Sequence, residues 1–186
     1  MSTESLEAAI RSTREVLAGV TSDHLGLATP CASWKVSDLI NHVVGGQFFF
    51  AGALSGAAPS GEATDFSAGD FHSAFDQAAA ACVGAFQADG VMERMIELPF
   101  GTMPGSAFVG LATTDLFTHA WDLAKATGQS TDLDPELATG LLQGARMSIS
   151  DSFRGADPDA PFGAATEAPA GASAADQLAA FLGRHV

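Results

Sequence analysis

The chain has no tyrosine and only two cysteines, Cys31 and Cys82, among its 186 residues. Two cysteines without a CxxC pair argue against a disulfide framework and a zinc knuckle, and we interpret both as free thiols buried in the core. Basic residues are also scarce, since 8 Lys and Arg face 22 Asp and Glu and leave a net charge of −14. Such a field repels phosphate backbones and anionic lipid headgroups, so neither nucleic acid nor membrane is an expected partner.

Long apolar runs are missing too. The longest, Val43–Leu54, is interrupted by Gly45, Gly46 and Gln47 and is too short to span a bilayer. The N-terminal residues mix acids and bases and lack the apolar run of a signal peptide. We therefore predict a cytoplasmic protein. Its hydrophobic content of 47% is enough for one well-packed domain covering residues 1–186.

Apolar residues recur at helical spacing through most of the chain. Only residues 95–98 and the PFGTMPG turn after them suggest one or two short strands. The pattern therefore predicts an all-α bundle with short additional helices and at most a minor β-hairpin. The predicted helices cover residues 2 to about 20, 37 to about 54 with Ser37 as N-cap, 71 to about 87, 104–106 to 127, 135 to about 153 after Asp134 as cap, and a final short helix after Ser173.

The most informative stretch is TTDLFTHAWDLAKATG, residues 113–128. With 3.6 residues per turn, Asp115, His119 and Asp122 share one face of this helix, inside an otherwise apolar pattern. Asp115 and His119 lie one turn apart and can reach the same ion, and His42 from another helix would complete a set of two histidines and one carboxylate. Three protein ligands leave coordination positions open, as in catalytic metal sites.

The same residues allow a second interpretation. His119 could form a buried hydrogen-bonded pair with Asp115 or Asp122, with no ion present. If a metal is bound, zinc suits the donors, and nickel, iron or manganese are alternatives. Asp122 would then orient a ligand or satisfy a neighbouring backbone group.

Four segments carry a resemblance to a known family: TPCASWKVSDLINHVVGG (29–46), LPFGTMPG (98–105), DLFTHAWDLAKATG (115–128) and DQLAAFLGR (176–184). In this order they resemble the DinB-like metal-binding four-helix-bundle superfamily, in the branch related to the metal-binding domain of mycothiol-dependent maleylpyruvate isomerase. The resemblance implies a divalent metal, typically zinc, bound by His42, Asp115 and His119. Asp115 stands where the isomerase has glutamate.

The resemblance also implies a function for the metal. It suggests a metal-dependent thiol-linked transferase or isomerase acting on a small molecule, with mycothiol as the thiol. We also predict that Gln47 and Trp121 line the pocket. The alternative is a non-catalytic bundle that binds a metal or small molecule, or that mainly dimerises. The substrate and the oligomeric state, including a homodimer, are left open by the sequence.

Overall fold

The computed structural model describes residues 2–56, 64–155 and 160–186. Its main elements are six helices and one hairpin, which confirms the predicted mostly helical fold. The helices are α1 (Thr3–Ala18), α2 (Val36–Ser55), α3 (Phe71–Phe86), α4 (Gly105–Ala126), α5 (Pro135–Ser148) and α6 (Ala174–Phe181), and the strands are β1 (Met95–Leu98) and β2 (Gly101–Pro104).

Helices α1 to α4 form the bundle. Both α1 and α2 pack against α3 and α4, so the four helices enclose one core. Large side chains such as Phe75, Phe86, Phe108 and Trp121 are almost completely buried there. The α5–α6 pair packs beside this bundle through contacts with α1 and α4. This arrangement confirms the expected four-helix bundle with short additions.

Helix α4 begins and ends close to the predicted positions. A Cβ atom on Gly105 would collide with the carbonyl oxygen of Val91, so the first turn of α4 requires glycine where it packs on the preceding loop. Gly128 has a φ of 70°, the left-handed conformation that commonly follows a helix end. Strands β1 and β2 pair in antiparallel fashion immediately before α4, with Ile96 opposite Met103. They form the minor hairpin that the sequence predicts.

Two predicted helix boundaries were wrong. Helix α2 starts at Val36 with Lys35 as its N-cap, two residues before the position that Ser37 as cap implies. The reason is that the Asp38 carboxylate accepts a hydrogen bond from the backbone N–H of Lys35, at 2.9 Å. Helix α5 ends at Ser148 rather than near Phe153, and a separate 3-10 turn covers Asp151–Phe153.

None of the described helices is both long enough and apolar enough to cross a membrane.

Candidate metal centre

The three predicted ligands converge between α2 and α4. His42 Nε2 lies 3.2 Å from Asp115 Oδ1, and His119 Nε2 lies 3.6 Å from the same oxygen. The two histidine rings are 4.6 Å apart between centroids and meet edge to face. Helical spacing places Asp115 and His119 one turn apart, and the packing of α2 on α4 supplies His42 from the opposite side.

The His42–Asp115 separation is that of a long hydrogen bond, and both separations are also compatible with a shared ion. Bonds of about 2.0–2.1 Å to a tetrahedral ion place neighbouring donor atoms about 3.3 Å apart. A hydrogen bond to a carboxylate is ordinarily about 2.7–2.9 Å long, and a separation of 3.6 Å between His119 and Asp115 is outside the hydrogen-bond range. The donor set therefore has the spacing and the chemistry to hold a divalent metal.

Asp122 lies on the other side of the His119 ring. Its Oδ2 atom is 2.9 Å from His119 Nδ1. Burial raises the pKa of Asp122, but the hydrogen bond from His119 and the charge of Arg184 outweigh burial and hold the pKa below its usual value. An ionised Asp122 accepts the proton of Nδ1, so the lone pair of a neutral His119 lies on Nε2 and faces Asp115.

The charge states of the other two groups are also biased. Burial lowers the pKa of His42, yet the hydrogen bond and charge of Asp115 raise it above its ordinary value. Burial raises the pKa of Asp115, while the hydrogen bond with His42 and the charge of His119 bring it below its ordinary value. The pair therefore keeps an anionic carboxylate beside the two imidazoles.

A second cluster shares His119. Cys31 Sγ lies 3.3 Å from Asp122 Oδ2 and 4.0 Å from His119 Nδ1, so Cys31, His119 and Asp122 also lie within reach of one ion. Arg184 argues against an ion there, because its guanidinium donates to Asp122 Oδ2 at 3.1 Å and to Cys31 Sγ at 3.6 Å. The guanidinium already supplies the positive charge that a metal would bring.

Cys31 and Arg184 belong to the candidate site, and the sequence did not identify either of them. We expected Cys31 to be a core thiol, but it is half-buried and hydrogen-bonded in this cluster, and only Cys82 lies in the core. Burial, followed by the charge of Asp122, raises the pKa of Cys31 to about 12. The one available signal was Arg184 itself, a lone cation ending the apolar run DQLAAFLG.

Trp34 is the third addition. Its ring lies 4.7 Å from the His42 ring and 5.5 Å from the His119 ring, measured between centroids. The loop before α2 folds back locally to place it: Thr29 Oγ1 donates to the carbonyl oxygen of Trp34 and accepts the backbone N–H of Cys31. The loop thus supplies Cys31 and Trp34 to the same site.

Gln47 and Trp121 occupy less direct positions. Both are buried, and neither lines the cavity beside His42. The amide atoms of Gln47 have no hydrogen-bond partner among the described residues. Trp121 Nε1 donates to Asp176 at 2.9 Å and so attaches α6 to α4.

A large cavity opens beside the three donors, with a volume of about 1080 Å³. His42 and Asp115 form part of its wall. Gly45 and Gly46 lie on the same wall, and a Cβ on Gly46 would be 3.8 Å from Asp115 Oδ2, an ordinary contact. These glycines therefore leave empty space beside His42 rather than admitting another backbone.

The chain matches a known protein family. The family profile described as the mycothiol maleylpyruvate isomerase N-terminal domain matches residues 6–124, a range that includes His42, Asp115 and His119. Proteins Rv0738 and MT0763 of two Mycobacterium tuberculosis strains, both named as uncharacterized, are 48% identical over 172 residues, which is 92% of this chain and 91% of theirs.

A solved structure shows the same fold. A mutant of the mycothiol-dependent maleylpyruvate isomerase superposes with a TM-score of 0.59 at 18% identity. The match covers 76% of this chain and 70% of that chain. At this identity the similarity supports the helical architecture and carries no information on substrate.

Proposed function

Because the chain belongs to the mycothiol maleylpyruvate isomerase N-terminal domain family, we propose that it binds a divalent metal through His42, Asp115 and His119 and acts as a metal-dependent, thiol-linked transferase or isomerase on a small molecule. The observation that carries the proposal is the convergence of these three donors beside a cavity whose wall includes His42 and Asp115. Zinc is the ion we expect, since two imidazoles and one carboxylate suit it.

Each residue has a distinct task in this proposal. His42, Asp115 and His119 hold the ion, and Asp122 accepts the Nδ1 proton of His119 so that Nε2 is free to bind. Arg184 compensates the buried charge of Asp122, and the Trp34 ring covers one side of the two histidines. The cavity leaves room for a ligand at the remaining coordination positions.

A bound divalent ion would lower the pKa of a coordinated thiol and so supply a thiolate nucleophile at neutral pH. The family suggests mycothiol as that thiol. The residues described above would orient the ion and leave an approach to it from the cavity.

Metal analysis of protein purified without chelator tests the proposal. We expect one divalent ion per chain, lost in His42→Ala and His119→Ala and retained in His72→Ala, whose histidine is exposed on α3. A wild-type protein that carries no metal and gives no heat of binding with Zn²⁺ would contradict it. Turnover is assayed separately, with mycothiol and other thiols against a panel of electrophiles.

The alternative is a bundle that binds a metal or small molecule without catalysis. It is favoured by the apolar character of the cavity wall, which offers few groups for proton transfer apart from His42 and Asp115. A full metal site without turnover over that panel would select this alternative. The cytoplasmic location and a homodimer stay predictions.

A further inference from the structure

The cavity beside the metal donors is built from three helices. One wall comes from α2, one from α4 and one from α5, and the hairpin and the segment after α5 complete it. The α4 residues that face it recur at helical spacing, at positions 106, 107, 110, 111, 114 and 115. A volume of about 1080 Å³ is at the upper end of ordinary small-molecule sites.

The wall of this cavity is predominantly apolar. Its large side chains are aromatic or aliphatic, and its polar members are mostly uncharged, such as Asn41, Ser106 and Thr114. Phe100 and Phe153 remain 61% and 51% exposed although they belong to the wall. The principal apolar wall residues are Phe49, Phe50, Phe100, Met103, Leu111 and Phe162.

Among the described residues, no lysine or arginine side chain lines this cavity, and His42 is the one group of its wall that can carry a positive charge. All eight Lys and Arg residues are described, and none lines the wall. Segments 57–63 (AAPSGEA) and 156–159 (ADPD) contain neither Lys nor Arg. The eight are Arg11, Arg14, Lys35, Arg94, Lys125, Arg146, Arg154 and Arg184.

Most of these cations are engaged elsewhere. Arg184 pairs with Asp122 on the far side of His119, and Arg14 pairs with Asp76. Arg154 lies over the Phe181 ring and donates to two backbone carbonyls, and Lys125 lies over the Trp121 ring. Arg94 donates to the carbonyl oxygen of Leu54.

The fixed charge of the cavity is therefore negative. Asp115 contributes a carboxylate, and the whole chain carries −14. A divalent ion at the three donors would offer one positive position at the wall. A ligand with one anionic group could place it there, but a second anionic group would be removed from water without a partner.

We propose that this cavity binds a neutral, predominantly apolar molecule about the size of a fused aromatic ring system, and that it excludes small dianions such as dicarboxylates. As a statement about substrate, this rests on the proposed function. As a statement about binding, it does not require the metal, because the aromatic and aliphatic wall supplies the contacts. Burial of apolar ligand surface stabilises the complex, and the absent cations determine the selectivity.

A matched pair of ligands tests the charge selectivity. Naphthalene-2,6-dimethanol and naphthalene-2,6-dicarboxylate share one ring and one substitution pattern and differ in charge. Titration calorimetry on metal-free protein should show saturable one-to-one binding of the diol, with an affinity at least about tenfold above that of the dicarboxylate. The same titrations on Zn²⁺-loaded protein should preserve this order.

Substitutions that add a cation locate the binding. Leu111→Arg places a guanidinium in the α4 wall and should weaken the diol and strengthen the dicarboxylate. Ser106→Arg makes the same change at an exposed wall position, so it still gives an answer if the half-buried Leu111 variant folds poorly. Met147→Arg is the control, since Met147 is 85% exposed and does not line the cavity.

Each outcome decides the proposal. No binding of the diol, or equal or tighter binding of the dicarboxylate by metal-free wild type, overturns it. So does diol binding that neither Leu111→Arg nor Ser106→Arg alters, and so does a ligand-free dimer whose cavity is closed by the second copy. Diol binding by a protein that cannot bind Zn²⁺ would sustain the cavity proposal while the metal-dependent function fails. Zn²⁺ binding by a protein that does not bind the diol would overturn the cavity proposal and leave the metal-dependent function standing.

Discussion

The two sides of the His119 ring differ in how completely their polar groups are paired with hydrogen-bond or ion-pair partners. On the Nδ1 side, Asp122 is fully buried and contacts His119, Arg184 and Cys31, so every charge there has a partner. On the Nε2 side, His42 and Asp115 approach each other at longer distances and border a large cavity. We call the Nδ1 side, with Asp122, the closed side and the Nε2 side, with His42 and Asp115, the open side. We infer that the closed side fixes the His119 ring and that the open side is available for chemistry.

The largest effect should come from breaking the closed side. Asp122→Ala leaves the Arg184 guanidinium buried without its carboxylate, so we expect the free energy of unfolding to fall by about 3–5 kcal/mol in urea denaturation. Zn²⁺ affinity should fall by about 10–100-fold, because His119 loses its orienting acceptor.

The control for this change is the exposed ion pair between Arg14 and Asp76, whose side chains are 52% and 56% exposed. Asp76→Ala should cost less than about 1 kcal/mol. Equal losses in the two variants would mean that burial does not distinguish Asp122 from a surface carboxylate.

A smaller effect of opposite sign is expected on the open side. Gly46→Ala adds a Cβ at an ordinary contact distance from Asp115 Oδ2 and removes a glycine from α2, so the free energy of unfolding should rise by about 0.5–1 kcal/mol. Zn²⁺ affinity should be unchanged. Gly46→Leu is the matched variant, since it projects bulk into the cavity and should weaken ligand binding. Loss of Zn²⁺ binding in Gly46→Ala would show that no spare room exists there.

The smallest effect should come from Cys31→Ser. A serine hydroxyl can replace the thiol as a donor to Asp122. Loss of a residue that orients a metal ligand lowers affinity by about 10–100-fold, and the change in Zn²⁺ affinity in Cys31→Ser should be far smaller. Cobalt-substituted wild type should show no sulfur-to-cobalt charge-transfer absorption. A strong band, or loss of metal in Cys31→Ser, would move the ion to the closed side and reverse the comparison.

The sequence was most informative where local periodicity decides the structure. The bundle, the hairpin and the extent of α4 follow from helical spacing and from the Pro104 and Gly128 boundaries. The start of α2 was displaced because a side-chain acceptor at Asp38 stabilises an earlier first turn than Ser37 as cap would. Such competition between two polar residues depends on side-chain geometry, which a propensity pattern does not contain.

The closed side of the site could not be predicted, for a different reason. Asp122 was recognised because it shares a helix face with His119, but its partners come from a loop before α2 and from the residues after α6. Periodicity relates neighbours within one element and gives no information about which distant segments meet. Trp34 illustrates this, since it belongs to the loop before α2 and its ring lies against both histidines.

The Arg184 contacts also have a consequence for the order of folding. Arg184 is 62 residues from Asp122 and 153 residues from Cys31 along the chain. Closing loops of that length is entropically costly, so these contacts are expected to form after the local helices and their nearest pairings. A folding intermediate that has assembled α2 and α4 would therefore hold His42, Asp115 and His119 near one another before the ring of His119 is fixed. In refolding experiments, tight metal capture should accordingly lag behind the gain of helical signal.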